Sequence, residues 1–303
     1  MAVLTDELLL MEGLIAGSGA AELGSRRWWI LLAFSVNCAA NAFMFMDFTT
    51  VPTVTKQTFG FCPANVAAAC EGVGDEFVGW TYSACLLAVV PAVVIVMALI
   101  ERHAWVAYTA TLGSQCIGAW LRYIAVDVAS KGDSELGKDL AILSAVLIGF
   151  GSAGCVVGYS AISNEWFELS ERALATSCAV QSNYAGWALG AMVFPYSVSD
   201  AHDLIDLQFF QAVGVSIAFG VYLIVYKEKP NGYAGTGPGA TVAANGHTQH
   251  PGFLQGMHML ATSPQYVLQC LCYSCMAGVS FAVPAFQTSE SVSNWLLSVA
   301  TLL

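Results

Sequence analysis

Residues 77–100 read FVGWTYSACLLAVVPAVVIVMALI and contain no charged side chain. About 20 apolar residues, each adding about 1.5 Å as a helix, cross a hydrocarbon core of roughly 30 Å. Backbone polar groups inside lipid are satisfied only in helices or closed barrels, so this run predicts a transmembrane helix. Further runs of this kind occur on both sides of it, at residues 28–52, 104–126, 140–162, 173–198, 207–226 and 265–287.

The composition of the chain agrees with a membrane protein. Hydrophobic residues make up 57% of the chain and charged residues 10%, whereas soluble domains carry about 25% charged residues. The net charge of −11 argues against nucleic-acid binding, because no cluster of Lys and Arg is present to neutralise phosphates. We therefore predict an all-α polytopic membrane protein.

The polar stretches divide the chain into four regions. We expect a mobile cytoplasmic tail, a six-helix transmembrane bundle, a flexible cytoplasmic loop and the start of a second bundle, at residues 1–25, 26–226, 227–263 and 264–303. The last apolar run, residues 295–303, is half as long as a membrane span. We interpret the chain as an N-terminal fragment of a longer protein.

The basic residues in alternate loops predict the orientation, because cytoplasmic loops carry an excess of Lys and Arg. One set of loops contains Arg26, Arg27, Arg102, Arg172, Lys227 and Lys229. The opposite set contains Lys56, Lys131 and Lys138. This difference places the N-terminus and the long loop in the cytoplasm.

The loop before the fifth apolar run has a distinctive sequence. Residues 164–176 read NEWFELSERALAT and resemble the W-F-x-x-x-E-R-A-x-A-T stretch of the major facilitator superfamily. The resemblance gives motif roles to Trp166, Phe167, Glu171 and Arg172. Glu171 suits the positive end of a helix, and Arg172 can reach lipid phosphates or the carbonyl ends of neighbouring helices.

The motif loop between the second and third runs is shorter than in that superfamily. Residues 99–103 read LIERH, so Glu101 fills the acidic position and Arg102 follows it. The glycine and the second basic pair of the superfamily pattern are missing. The resemblance implies an N-terminal six-helix bundle of the facilitator type, followed by a seventh helix and the start of an eighth.

Two other stretches narrow the resemblance. Residues 27–35 read RWWILLAFS and lead to Asn41-Ala42-Phe43, and residues 112–122 read LGSQCIGAWLR. Both resemble the solute carrier 49 family, which includes the feline leukemia virus subgroup C receptor-related transporters and the disrupted-in-renal-carcinoma protein. Members are linked to choline, ethanolamine, haem or pyridoxine movement, so membership does not specify a substrate.

The family resemblance also suggests a substrate cavity. Phe45, Tyr184 and Phe281 stand where choline-transporting members have Trp, Gln and Tyr. These three aromatic residues either form a cage for an organic cation or act as packing residues. The predicted cavity lining is Asn41, Phe45, Asp47, Gln181, Tyr184 and Phe281, with Asn183 and Gln115 as lesser candidates.

Two charged residues fall inside apolar runs. Asp47 either faces the cavity, where it attracts a cation or takes up a proton, or meets water near Pro52. Arg122 lies at a similar depth in the third run, where it can pair with Asp47. We expect its long side chain instead to extend to the outer headgroups.

The remaining motifs have structural interpretations. Gly149-Phe150-Gly151-Ser152-Ala153-Gly154 matches a dinucleotide pattern but lies inside an apolar run, so it predicts close helix packing. Gly186 and Gly190 predict the same. Cys62 and Cys70 form a plausible disulfide. Cys270, Cys272 and Cys275 are expected to be buried thiols rather than metal ligands.

The leading hypothesis is a transporter that moves a small organic solute, such as an organic cation or a vitamin-like nutrient, by alternating access. The alternative is a non-transporting membrane receptor or interaction module. No catalytic motif is present, so we expect no enzyme activity and no cofactor or metal. The expected partners are the solute and the lipid bilayer, without nucleic acid.

Overall fold

A computed structural model describes residues 2–63, 72–226 and 261–286. Every regular element in these ranges is a helix, which confirms the predicted all-α class. The helices are α1 (Ala2–Thr50), α2 (Pro52–Thr58), α3 (Asp75–Ser130), α4 (Ser134–Trp166), α5 (Leu169–Ser197), α6 (Ala201–Val225) and α7 (Pro264–Phe286).

Within the part of the chain that the structure describes, four helical stretches are long and apolar enough to cross a membrane: Arg26–Thr50, Asp75–Ile100, Ser134–Trp166 and Ala201–Val225. They carry the first, second, fourth and sixth predicted spans. The third and fifth spans also lie in helices, the second half of α3 and α5. These two contain more polar side chains, among them Gln115, Arg122 and Gln181.

The second and third predicted spans lie in one helix, α3, which is broken at His103 (φ −149°, ψ 82°). The Cys85 thiol lies beside the Arg122 guanidinium. These two residues stand at nearly equal separations on either side of His103, so the two halves of α3 run antiparallel. The predicted loop at residues 101–103 is therefore reduced to a single sharp turn.

Of the tail predicted at residues 1–25, residues 2–25 are helical in the structure. The backbone of α1 is helical from Ala2 onward and continues into the first span. The Leu, Ala and Glu residues of this region have high helix propensity. The long loop predicted at 227–263 falls largely on residues 227–260, which lie outside the described residues.

Aspartates begin two of the helices that follow short turns. The Asp133 side chain accepts a hydrogen bond from the Leu136 amide at the start of α4. Asp200 accepts from the His202 and Asp203 amides at the start of α6. Both are N-caps that satisfy amides without an intrahelical partner.

The bundle has two ends, which we name by their contents. The α2 end contains α2, the turn between α3 and α4, and a core cluster that includes Phe48, Phe59 and Phe194. The motif end contains the His103 break, the turn between α4 and α5, and a cluster that includes Phe34, Trp166 and Tyr222.

Small residues allow close helix contacts, as predicted. A Cβ on Gly186 would overlap with the Ala39 backbone, so α5 and α1 approach most closely there. A Cβ on Gly158 would overlap with the Phe34 ring. Such contacts account for the glycine patterns within the apolar runs.

Cys62 forms a disulfide, and its predicted partner, Cys70, lies outside the described residues. Cys270, Cys272 and Cys275 are free thiols, but they are exposed rather than buried. Their exposure on α7 contradicts the expected burial, because the described part of α7 makes few contacts with the bundle.

Candidate functional site

A buried ion pair lies in the half of the bundle nearer the α2 end. Arg122 Nη1 of α3 donates to Asp47 Oδ2 of α1 at 2.8 Å, and each side chain is only 2% exposed. Gln208 of α6 donates to the same carboxylate oxygen at 3.1 Å. The carboxylate is therefore surrounded by hydrogen-bond donors from two other helices.

The guanidinium of Arg122 has partners on several helices. Nη1 also donates to the Met44 carbonyl at 2.7 Å, and Nε donates to the Ser144 hydroxyl at 3.1 Å. The Phe48 ring lies 5.1 Å from the guanidinium carbon. The expectation that Arg122 extends to the headgroups is wrong, because its side chain is buried and the interior supplies acceptors for Nη1 and Nε.

A network of three amides lies deeper in the bundle. Asn41 Nδ2 donates to Gln115 Oε1 at 3.0 Å and to the Ile148 carbonyl at 3.2 Å. Gln115 Nε2 donates to the Asn37 carbonyl at 3.3 Å, and Asn37 Nδ2 donates to the Ala218 carbonyl at 2.9 Å. The network links α1, α3, α4 and α6. Asn41 Oδ1 is buried without a hydrogen-bond partner.

Three aromatic rings meet beside this network. Phe45 of α1 stacks on Trp187 of α5, with ring centroids 5.7 Å apart and an interplanar angle of 28°. The Tyr82 ring of α3 meets Phe45 edge-on at 6.0 Å and Trp187 edge-on at 6.3 Å. The Tyr82 hydroxyl is buried without a hydrogen-bond partner. We call Phe45, Tyr82 and Trp187 the aromatic trio.

The predicted lining residues of α5, Gln181, Asn183 and Tyr184, lie within about one helical turn but have different surroundings. Tyr184 is 57% exposed, and the described ring contacts of Phe45 go to Tyr82 and Trp187 rather than to Tyr184. Asn183 donates to the Cys38 carbonyl of α1 at 3.3 Å. Gln181 lines an open cleft of about 440 Å³ between α4 and α5, together with Ser160, Ser163, Arg172 and Ser177.

The structure describes the backbone but not the side chain of two predicted residues. Phe281 falls within α7, but its side chain lies outside the described residues. The side chain of Glu101 also lies outside the described residues, whereas Arg102 is exposed beside the His103 break. The cage predicted from Phe45, Tyr184 and Phe281 therefore stays a prediction.

The motif residues between α4 and α5 tie three helices together. Arg27 of α1 forms an ion pair with Glu171, with Nη1 2.6 Å from Oε2, and its guanidinium lies over the Phe167 ring. Arg172 donates to the carbonyls of Phe167 and Asn164 at 3.0 and 3.2 Å. Lipid phosphates and helix carbonyls were the predicted partners of Arg172, and in the structure it bonds to carbonyls. Trp166 and Phe167 are buried.

Sequence reasoning missed Tyr82, Trp187, Gln208 and Asn37. Two of these residues could have been found from their spacing in the sequence. Asn37 precedes Asn41 by one helical turn, so both amides lie on one face of α1. Trp187 follows Tyr184 by three positions, so the two side chains are neighbours on the helix surface.

The comparison with protein families gives one match over most of the chain. The model of the Major Facilitator Superfamily matches residues 38–303. The match includes the ion pair, the amide network beyond Asn37, the aromatic trio and the motif turn.

Individual relatives agree with this assignment. The chain is 24% identical to the rat choline/ethanolamine transporter FLVCR2 over 272 residues, covering 86% of this chain and 46% of that protein. It is 28% identical to the cat choline/ethanolamine transporter FLVCR1 over 228 residues, covering 71% and 37%. The human choline/ethanolamine transporter FLVCR2 is 24% identical over 281 residues, covering 86% and 47%.

These relatives are members of the transporter group that the sequence resembles, and the chain spans about half of their length or less. The helical bundle, the four apolar spans and the family match agree with one another. The chain belongs to the major facilitator superfamily.

Proposed function

We propose that this chain supplies the N-terminal bundle of a membrane transporter that moves a small organic solute by alternating access. In such carriers one helical bundle rocks against another around a central site. The close α1–α5 contact and the polar groups inside the bundle support this assignment. The basic residues of the motif end support a cytoplasmic location for that end and for the N-terminus.

The solute class that the site supports best is a small organic cation carrying a hydroxyl group. The observation that carries this proposal is the aromatic trio, because stacked and edge-on rings offer negative faces to an ammonium group. Each such contact is worth about 0.5–2 kcal/mol. Among the described residues the buried Tyr82 hydroxyl has no hydrogen-bond partner, so it can bond a solute hydroxyl.

The names of the relatives support the same class, since choline and ethanolamine both combine an amine with a hydroxyl. This chain differs from the choline-transporting members at the position of Phe45, where they have Trp. We propose that Trp187 supplies the large ring from α5 instead, so that the site keeps an indole within contact of the solute.

The test is uptake of labelled choline, ethanolamine and pyridoxine by cells that express the protein, compared with cells that do not. We expect saturable uptake of at least one amine. Trp187→Leu should reduce it, raising KM by about 2- to 30-fold, the loss of one cation–π contact.

Trp29 is the matched control, because it is an exposed indole near the motif end. Trp29→Leu should leave KM unchanged. Uptake of pyridoxine without either amine, or an equal change in KM for the two substitutions, would contradict an amine site lined by aromatic rings.

A further inference from the structure

One turn of α1 is held by side chains rather than by the backbone alone. In a regular helix the Phe48 amide bonds to the Met44 carbonyl. In this helix the Phe48 amide also donates to Asp47 Oδ1 at 2.7 Å, and the Met44 carbonyl also accepts from Arg122 at 2.7 Å. The ion pair therefore gives both backbone groups a side-chain partner.

Hydroxyl groups continue this pattern toward the end of α1. Thr50 donates to the Met46 carbonyl at 2.7 Å, and Thr49 donates to the same carbonyl at 3.3 Å. Back-bonding of this kind weakens and bends helices. The shape of the stretch from Met44 to Thr50 thus depends on side chains as well as on the helix backbone.

Phe45 lies inside this stretch, so its position depends on the same contacts. Its ring stacks on Trp187 and meets Tyr82. A change in the turn that carries Met44 and Phe48 would move Phe45 relative to both rings, which stand on other helices. The ion pair and the aromatic trio are therefore mechanically linked through one helical turn.

The ion pair is not arranged to bind the solute itself. Asp47 Oδ2 accepts from Arg122 and Gln208, and Oδ1 accepts from the Phe48 amide. Both charged side chains are 2% exposed. A cation that approached the carboxylate would have to displace the guanidinium.

We propose that Asp47 and Arg122 are positioning residues, which fix the Met44–Thr50 turn of α1 so that Phe45 faces Trp187 and Tyr82, and which do not contact the solute. The role in solute affinity rests on the function proposed above. The role in holding the turn does not.

Two measurements on the full chain test this proposal. Hydrogen–deuterium exchange of the Met44–Thr50 amides reports the turn without any transport, and amine uptake reports KM. Asp47→Asn and Arg122→Gln should each speed exchange in this stretch by at least about tenfold. They should also raise KM by about 2- to 30-fold, because Phe45 loses its place in the trio.

Two further variants keep the test decisive if a single substitution prevents folding. Asp47→Asn with Arg122→Gln removes both charges, so it leaves no unpaired charge, yet exchange should stay fast and KM high. Arg122→Lys keeps the charge but lacks the planar fork, so its effects should be smaller than those of Arg122→Gln.

The control is Glu171→Gln, which removes the Arg27–Glu171 ion pair at the motif end. It should leave exchange in Met44–Thr50 unchanged. A lower KM for Arg122→Gln would show that a freed Asp47 binds the cation and would overturn the proposal. Full recovery of exchange and KM in the neutral double variant would also overturn it, since the pair would then serve only charge balance.

A protein that takes up no amine but shows the expected exchange pattern would refute the solute class and leave the positioning of the turn intact.

Discussion

Arg122 places a charge in the interior of the bundle, and its surroundings explain how the fold tolerates this charge. An arginine at the centre of a membrane helix costs about 2.5–3.5 kcal/mol in insertion measurements. Asp47, the Met44 carbonyl and Ser144 replace the water that the guanidinium loses. The stability of the bundle therefore depends on both partners being present.

We expect Asp47→Asn and Arg122→Gln each to destabilise the protein by about 3–5 kcal/mol, because each leaves an uncompensated buried charge or unpaired polar group. The variant with both substitutions should lose less than the two single losses added together. Thermal unfolding of the detergent-solubilised protein measures all three. If the losses of stability were strictly additive, the two side chains would not interact in the detergent-solubilised protein.

The sequence predicted the depth of Asp47 and Arg122, and it offered their pairing only as the less favoured alternative to extension of Arg122 to the headgroups. Depth follows from position within an apolar run, and both residues lie at similar depths. Pairing depends on the rotation of each helix about its axis. That rotation is set by contacts between distant residues, such as those of Gln208 and Ser144. These contacts leave no local pattern in the sequence.

At the scale of helices, the close contact between α1 and α5 positions the site. Gly186 lies against the Ala39 backbone, and Gly190 lies against Met46 and the Phe43 carbonyl. Phe45 and Trp187 stand in the same two stretches, so their stacking follows from this approach. The glycine spacing predicted a close helix contact at this face of α5, because small residues one turn apart form a smooth face, but it did not identify α1 as the partner.

We expect Gly186→Ala to destabilise the protein by about 1–3 kcal/mol, because the added methyl group overlaps with backbone that cannot move aside. Gly214→Ala is the control, since a Cβ at Gly214 of α6 meets no atom within 4 Å. It should be neutral or stabilising by up to about 1 kcal/mol from helix propensity. Thermal unfolding in detergent distinguishes them, and equal effects would contradict a close α1–α5 contact.

The helix boundaries were more predictable than the helix contacts. The run at 140–162 lies inside α4, and the run at 207–226 ends one residue beyond α6, because length and apolarity alone determine such spans. The aromatic trio was harder to predict, since Tyr82 and Trp187 look like ordinary interface residues in the sequence. Their meeting with Phe45 depends on three separate helices.

Across the whole molecule, the two ends of the bundle carry their basic residues differently. At the α2 end, Lys56, Lys131 and Lys138 form ion pairs with Asp75, Asp127 and Glu135. The hydrogen bond and charge of Asp127 raise the pKa of Lys131 above its usual value, so its charge persists at neutral pH. At the motif end, Arg172 is bonded to helix carbonyls and Arg102 is exposed.

The motif end carries four arginines, Arg26, Arg27, Arg102 and Arg172, against the three lysines described at the α2 end. This excess leads to an expected orientation with the motif end in the cytoplasm. An epitope tag inserted at Gly132, in the turn between α3 and α4, should be stained by antibody on intact cells if the protein reaches the plasma membrane. Gly132 suits an insertion because it is exposed and a Cβ there meets no atom within 4 Å. A tag before Met1 should be stained only after permeabilisation.

If the protein stays in an organelle, selective opening of the plasma membrane should expose the N-terminal tag and leave the Gly132 tag protected. The reverse pattern would show that the paired lysines of the α2 end, rather than the arginines of the motif end, face the cytoplasm.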